Sequence, residues 1–305
     1  LVFTLACVLL QARAADIPAH QEVILPGLHA YAEKSIAAGE EIAFRVSSSV
    51  PYRLTVVKLG PDPENRDNDP VLETFRINKP TPQPIHPGSY IHVSKGLPHD
   101  RELTELTLEC WIRPFSLTGW QGLITQHDYP EQSGIGLFLN EGRIAFMTGA
   151  GGDYEPASLH QTEPSLIKAQ TWHHVAATWD GKMKRIFIDG KQAVGFPFSG
   201  VVRPGHTALR LGAYGSEGVA SSFYNGDLAM ATVHDRALDQ DSLAALFAVR
   251  GLNIPKGDSV MACWPFTEER GAQVVDASST GRDRRIINRG TWMIGGPRFD
   301  DAAIG

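Results

Sequence analysis

The sequence predicts an all-β chain: a small β module followed by a larger β-sandwich carrying one short helix. Three observations predict it. Short apolar segments alternate with period two and are closed by turn residues. Two Asp-Gly pairs, Asp180-Gly181 and Asp189-Gly190, stand between such segments and mark tight hairpins. Only one stretch, around Leu243, Leu246 and Phe247, has apolar residues at helical spacing.

The first module is expected over about residues 23–85. Ile42 to Ser47 alternates, with Ile42, Phe44 and Val46 on one side and Arg45 and Ser47 on the other. Tyr52 to Leu59 is β-branched and apolar, and reads as a second strand. Pro61 to Pro70 is polar and bracketed by proline, hence a loop. Pro80, Pro82, Pro84 and Pro87 hold an extended segment, because proline restricts itself and its predecessor. A domain boundary is placed there.

The second unit is expected over 88–252, starting at Gly88 to Val93. In Thr107 to Ile112, Leu108, Cys110 and Ile112 share one face; Thr107, Glu109 and Trp111 share the other. Further strands are read at 122–126, 135–139 and 143–147, with Asn140-Glu141-Gly142 turning between the last two. Residues 172–179, 183–188 and 192–194, joined by the Asp-Gly turns, form a three-stranded meander. Residues 209–212 and 227–234 add strands. The helix follows, capped by Asp239 or Asp241 and ended by Gly251, and is expected on an edge of the sandwich. Residues 253–305 supply a closing strand, Val260 to Phe266, and a linker.

Composition narrows the function. The chain has 305 residues, with Lys+Arg 28 against Asp+Glu 34. A mildly acidic chain with no basic block is a poor partner for nucleic acid or acidic lipid. No apolar run reaches 18 residues, so no membrane span is expected. The 30 Gly and 20 Pro are scattered as turn punctuation. Leu1 to Leu10 is an apolar run, and Ala12-Arg13-Ala14 offers an A-x-A pattern. It reads as the remnant of a secretory signal over 1–20, against a buried N-terminal element. The expected location is secreted or periplasmic, with cytoplasmic as the alternative. The end at Asp300 to Gly305 shows no closing element and suggests a longer protein.

Three stretches carry a resemblance. They are Leu108 to Pro114, Trp172 to Gly181 with Ile188 to Lys191, and Tyr224 to Ala229 leading to Arg236 to Asp239. In this order they resemble a laminin-G-like jelly roll of the concanavalin-A-like lectin/glucanase superfamily. Ala30 to Glu40, Phe44 to Ser48, Tyr52 to Leu54, Val57 to Leu59, Pro87 to Val93, Cys263 to Phe266, Val275 to Ser278, Ile287-Asn288 and Gly295-Gly296 are similar to the N-terminal region of the N,N-dimethylformamidase large (β) subunit. Where that family often has His-Gly-Asp, this chain reads Gly60-Pro61-Asp62-Pro63.

The second resemblance implies that hydrolysis of a linear amide, using iron held by Tyr and Glu, resides in a domain after the jelly roll. No catalytic residue carries over, and the chain's expected role is packing against its own C-terminal domain or another subunit. The alternative is a secreted carbohydrate- or protein-binding module of the laminin-G type. The superfamily's glucanases carry an E-x-D-x-x-E strand, and none occurs here.

Candidate site residues are few. Trp120, Tyr129, Tyr154 and Tyr214 lie in or beside loops and could stack on a sugar ring or a partner protein, or simply pack the loops. Asp128 and Asp153, in loops, are the freest oxygen donors for Ca²⁺, although no dense ligand motif appears. Asp180 and Asp189 are better read as turn residues. His173 and His174 point to opposite faces of a strand, which gives one core-edge and one surface histidine rather than a chelating pair. Gly149 to Asp153 lacks the ending of a phosphate loop. Cys110 and Cys263 could form a disulfide if their strands are neighbours; two separate buried thiols is the simpler reading.

Overall fold

The computed structural model describes residues 26–32, 39, 41–42, 44–58, 60, 69–83, 88–94, 96–153, 155–215, 219–268, 271–282, 284–287, 290 and 292. The signal-like run, the 61–68 loop, Pro84, Pro87, Tyr154, Asn288, Gly295-Gly296 and the final residues lie outside this set. The chain divides into a smaller unit, residues 21–87, and a larger one from Gly88 onward.

The smaller unit holds two antiparallel pairs. β1 (Leu28–Ala32) pairs with β2 (Phe44–Ser48), and β3 (Tyr52–Val57) with β4 (Val71–Ile77). Ser47 ties the pair to the proline-rich segment: its Oγ accepts from the Gln83 N–H at 2.9 Å and donates to the Gln83 carbonyl at 3.1 Å.

The larger unit is a sandwich of two antiparallel sheets. Its strands are β5 (Tyr90–Val93), β6 (Leu106–Pro114), β7 (Trp120–Asp128), β8 (Ser133–Asn140), β9 (Arg143–Ala150), β10 (Leu159–Gln161), β11 (His173–Trp179), β12 (Met183–Ile188), β13 (Lys191–Pro197), β14 (Leu209–Leu211), β15 (Gly226–His234), β16 (Val260–Trp264) and β17 (Arg285–Ile287). One sheet runs β10-β9-β8-β7-β14-β5-β17 and the other β13-β12-β11-β6-β15-β16. β16 and β17 lie beyond residue 252 and complete the two sheets.

Alternation builds the core. Leu108, Cys110 and Ile112 of β6 face Leu137, Leu139 and Ile144 of the opposite sheet. Each such aliphatic side chain contributes about 1.5–3 kcal/mol when removed from water. The hairpins follow their sequence. Glu141-Gly142 has φ +48° and +74°, and Asp189-Gly190 has +51° and +73°. Positive φ at both turn positions matches the twist of the flanking strands. Asp180 closes its own turn, its Oδ1 accepting from the N–H groups of Lys182 and Met183.

The outer face of the six-stranded sheet is also covered. The helix α1 (Gln240–Ala248) begins at Asp239, whose Oδ1 accepts from the Ser242 N–H at 2.8 Å. Leu243 and Leu246 pack with Ala176 of β11 and Phe187 of β12, and Phe247 stacks on Trp111 at 5.7 Å. The helix therefore lies on the face of the sheet and not on its edge. The reason is that face's apolar content, Trp111, Ala176 and Phe187, which would otherwise meet water.

Candidate functional site

Three rings form a row along the outer face of the seven-stranded sheet. Trp120 opens β7 and is 39% exposed. Its indole meets the buried Phe138 edge-on at 5.6 Å, and Phe138 meets Tyr214 edge-on at 5.4 Å. Tyr214 continues to His127 at 6.0 Å.

Glycines allow this row. The Phe138 ring lies across Gly136, where a Cβ would stand 2.3 Å from it. The backbone of Ala213 descends onto Gly122, where a Cβ would stand 2.3 Å from the Ala213 carbonyl. Tyr214 and Ser221 bridge each other backbone to backbone at 2.9 and 2.6 Å, which closes the loop that presents Tyr214.

Polar groups support the row from one end. Arg210 of β14 is buried and donates from Nη1 to the Gly215 carbonyl at 2.9 Å. Burial lowers its pKa, while Tyr90, Tyr214 and Asp128 oppose that shift. Burial, then the charge of Asp128, pushes the Tyr214 hydroxyl up to about 12, and the backbone of Tyr129 hydrogen-bonds it. Burial pushes His127 down to about 4. The structure thus links Trp120, Tyr214, Tyr129 and Asp128, four of the residues singled out from sequence. Phe138, His127 and Arg210 were not anticipated, because a strand's outer face gives no sign in sequence that a loop will fold over it.

Other expectations change. Asp128 is the last residue of β7, opposite Ser133, and is buried against Arg210 and Tyr214 rather than free in a loop. Asp153 is exposed beyond the end of β9. Among the described residues no group of three or more His, Cys, Asp or Glu could hold a metal ion. Cys110 and Cys263 are both free buried thiols. β15 lies between their strands, and Cys110 faces the inter-sheet core while Cys263 packs on the other face with Trp111. A disulfide between them is corrected on that geometry.

Neither histidine of the 173–174 pair is at the surface. The His173 ring meets Asp189 Oδ2 through Nδ1 at 2.9 Å and accepts from the Lys168 N–H at 3.1 Å. His174 Nε2 meets Glu109 Oε2 at 2.8 Å, and His234 Nε2 meets Glu109 Oε1 at 2.8 Å. Burial alone would raise the Glu109 pKa, but the two histidine hydrogen bonds and their charge bring it down to about 2. Both carboxylate oxygens are engaged inside the protein, so the cluster ties β6, β11 and β15 together.

The family model of the concanavalin A-like lectin/glucanases superfamily, in its laminin-G form, matches residues 87–244. No curated protein matches the chain. Among solved structures, a candidate carbohydrate-binding protein from Bacteroides ovatus is similar at 16% identity and a TM-score of 0.50, over 83% of this chain and 63% of that one. The chain therefore spans less than two thirds of that protein. A heptameric SAP-like pentraxin from Limulus polyphemus is similar at 15% identity and a TM-score of 0.45, over 66% of this chain and 90% of that one. The CBM40 of a Ruminococcus gnavus IT-sialidase, bound to α2,3-sialyllactose, is similar at 16% identity and a TM-score of 0.39, over 48% and 83%. The first of these likenesses shows the sandwich fold. The family match spans more than half of the sequence, and the chain belongs to the concanavalin A-like lectin/glucanase superfamily.

Proposed function

We propose that the larger unit is a carbohydrate-binding module of the laminin-G type, acting outside the cytoplasm. The observation that carries this reading is the exposed Trp120 indole, propped edge-on by Phe138 and, through it, by Tyr214. A sugar ring has an apolar face of C–H groups, and a rigid indole offers it a large flat surface at little entropic cost. Tyr129, 53% exposed at the far end of β7, gives a second ring and a hydroxyl for a neighbouring sugar unit. Family membership agrees with a lectin role. Among the described residues no helix is long and apolar enough to cross a membrane.

Assembly within an N,N-dimethylformamidase-like large subunit draws no support from the comparisons, and the binding-module reading takes precedence. Calcium remains a proposal that rests on Asp128 and Asp153 alone. A glycan array probed with the purified chain, followed by titration of any hit, tests the main reading. Trp120→Ala should weaken binding about ten-fold or more, and Trp120→Phe by less. An array with no hit, or a hit indifferent to Trp120→Ala, overturns it and leaves protein ligands as the next class to screen.

A further inference from the structure

The larger unit also contains a cavity of about 750 Å³ that shares no lining residue with the Trp120–Phe138–Tyr214 row. It opens at one end of the sandwich. Seven aromatic side chains line it: Tyr90, Phe115, Trp172, Phe223, Tyr224, Phe266 and Trp292. The volume lies within the range of small-molecule sites, which are apolar with a few fixed polar groups.

Its polar groups are held in place. Asp227 Oδ2 accepts from Arg113 Nε at 2.7 Å. The guanidinium in turn lies 5.8 Å from the Phe115 ring and 5.4 Å from the Trp172 ring, so Arg113, which does not itself line the cavity, ties together three residues that do. Asn225 is fixed by its backbone, which accepts from the Phe115 N–H at 2.8 Å and donates to Gln121 Oε1 at 2.8 Å. The residue is exposed and lines the cavity.

The backbone around the cavity is strained in two places. Met230 has φ +50° and Phe266 φ +62°, left-handed values that bulky side chains rarely adopt. Met230 sits where the pairing of β15 with β6 shifts register between Ala229 and Thr232. That bulge places Ala229 and Met230, consecutive in sequence, in the same cluster, so that both line the cavity. Phe266, two residues after β16 ends, is also a lining residue. Such strain costs of order 1–3 kcal/mol each and collects where a ligand is clamped.

We propose that this cavity binds a neutral, ring-bearing small molecule, apolar over most of its surface and with one or two hydrogen-bonding groups. The rings take the apolar body and Asn225 takes a polar group; among the described lining residues the one charged side chain, Asp227, is already paired with Arg113, so a charged ligand finds no free counter-ion there. This site is independent of sugar binding at Trp120.

Titration of the whole chain with N-phenyl-1-naphthylamine, a neutral two-ring amine that fluoresces when removed from water, tests it. The expected result is saturable binding of one probe per chain, with quenching of tryptophan emission from Trp172 and Trp292. Thr267→Trp, at an exposed position on the rim, should block entry and abolish binding. Phe115→Ala, also at an exposed position, should weaken it about ten-fold. The anionic analogue 1-anilinonaphthalene-8-sulfonate should bind at least about ten-fold more weakly. No saturable binding by the wild type, binding indifferent to both substitutions, or equal affinity for the anionic probe would overturn the proposal. Thermal melting of each variant identifies one that fails to fold, and the other then decides.

Discussion

Glu109 on β6 and His234 on β15 reach each other diagonally across the strand pair, His234 Nε2 standing 2.8 Å from Glu109 Oε1. The directly opposite pairs are Glu109 with Thr232 and Thr107 with His234, so the contact spans one diagonal step on the outer face. His174 completes it from β11 on the other carboxylate oxygen. One buried anion thereby holds three neighbouring strands in register.

Acid should dissolve that tie. The Glu109 carboxyl titrates at about 2 in the folded chain against an ordinary 4.5. Because the folded value is depressed, its stabilisation is fully present above pH 4.5 and is lost as pH falls from there towards 2. Glu109→Gln should cost about 3–5 kcal/mol near neutrality, the usual cost of breaking a buried pair. It should also flatten stability between pH 4.5 and 2. Urea unfolding at a series of pH values measures both, and an unchanged acid slope in the variant would refute the assignment.

Lys184 should act in the opposite pH range. It is fully buried, with Nζ donating to the Ser158 carbonyl at 2.6 Å and standing 4.0 Å from the Phe198 ring centre. Burial pushes it down to about 7 from 10.5. Between these values the unfolded chain binds the proton and the folded chain does not, so stability rises with pH. Wild type minus Lys184→Met should show that slope from pH 7 to 10. A difference that stays constant with pH would mean that the ammonium remains charged in place.

The turn at Gly190 should tolerate no side chain. Its φ is +73°, and a Cβ there would stand 2.9 Å from Ala244 Cα and 3.1 Å from Phe247 Cβ of α1. Gly190→Ala would strain the turn and push the helix from the sheet, at a cost of about 1–3 kcal/mol. Thermal melting measures this, together with loss of the Trp111–Phe247 contact seen as a change in tryptophan emission. Full retention of both would show that the helix can slide without penalty.

Sequence carried the interior of the sandwich further than its surfaces. Alternation puts Leu108, Cys110 and Ile112 on one face, and they line the inter-sheet core. The Asp-Gly turns were legible because their residue types answer a local demand for positive φ. β4 is not legible in sequence, because Val71-Leu72-Glu73-Thr74-Phe75 mixes apolar residues on both faces. Trp120 and Tyr214 were legible as aromatics near turns. Phe138, the ring that joins them, sits in the apolar run Ile135 to Leu139, where sequence does not say which residue faces out. Glu109 and its two histidines are far apart in sequence, and only the pairing of β6 with β11 and β15 brings them together.

The two cysteines should remain thiols under oxidising conditions. Strands two places apart in a sheet are separated by roughly 10 Å, beyond the Cα spacing of about 7 Å that a disulfide spans. Cys110 and Cys263 are so placed, and on opposite faces. Burial raises the Cys110 pKa well above its ordinary value and pushes Cys263 up to about 11, so neither thiolate forms near neutrality. Iodoacetamide should therefore leave both unmodified in the native chain at pH 8 and label both after denaturation without reductant. Peptide mass spectrometry reads the outcome. A Cys110–Cys263 linked peptide would require that β15 is not between them, and would overturn the strand order of the six-stranded sheet.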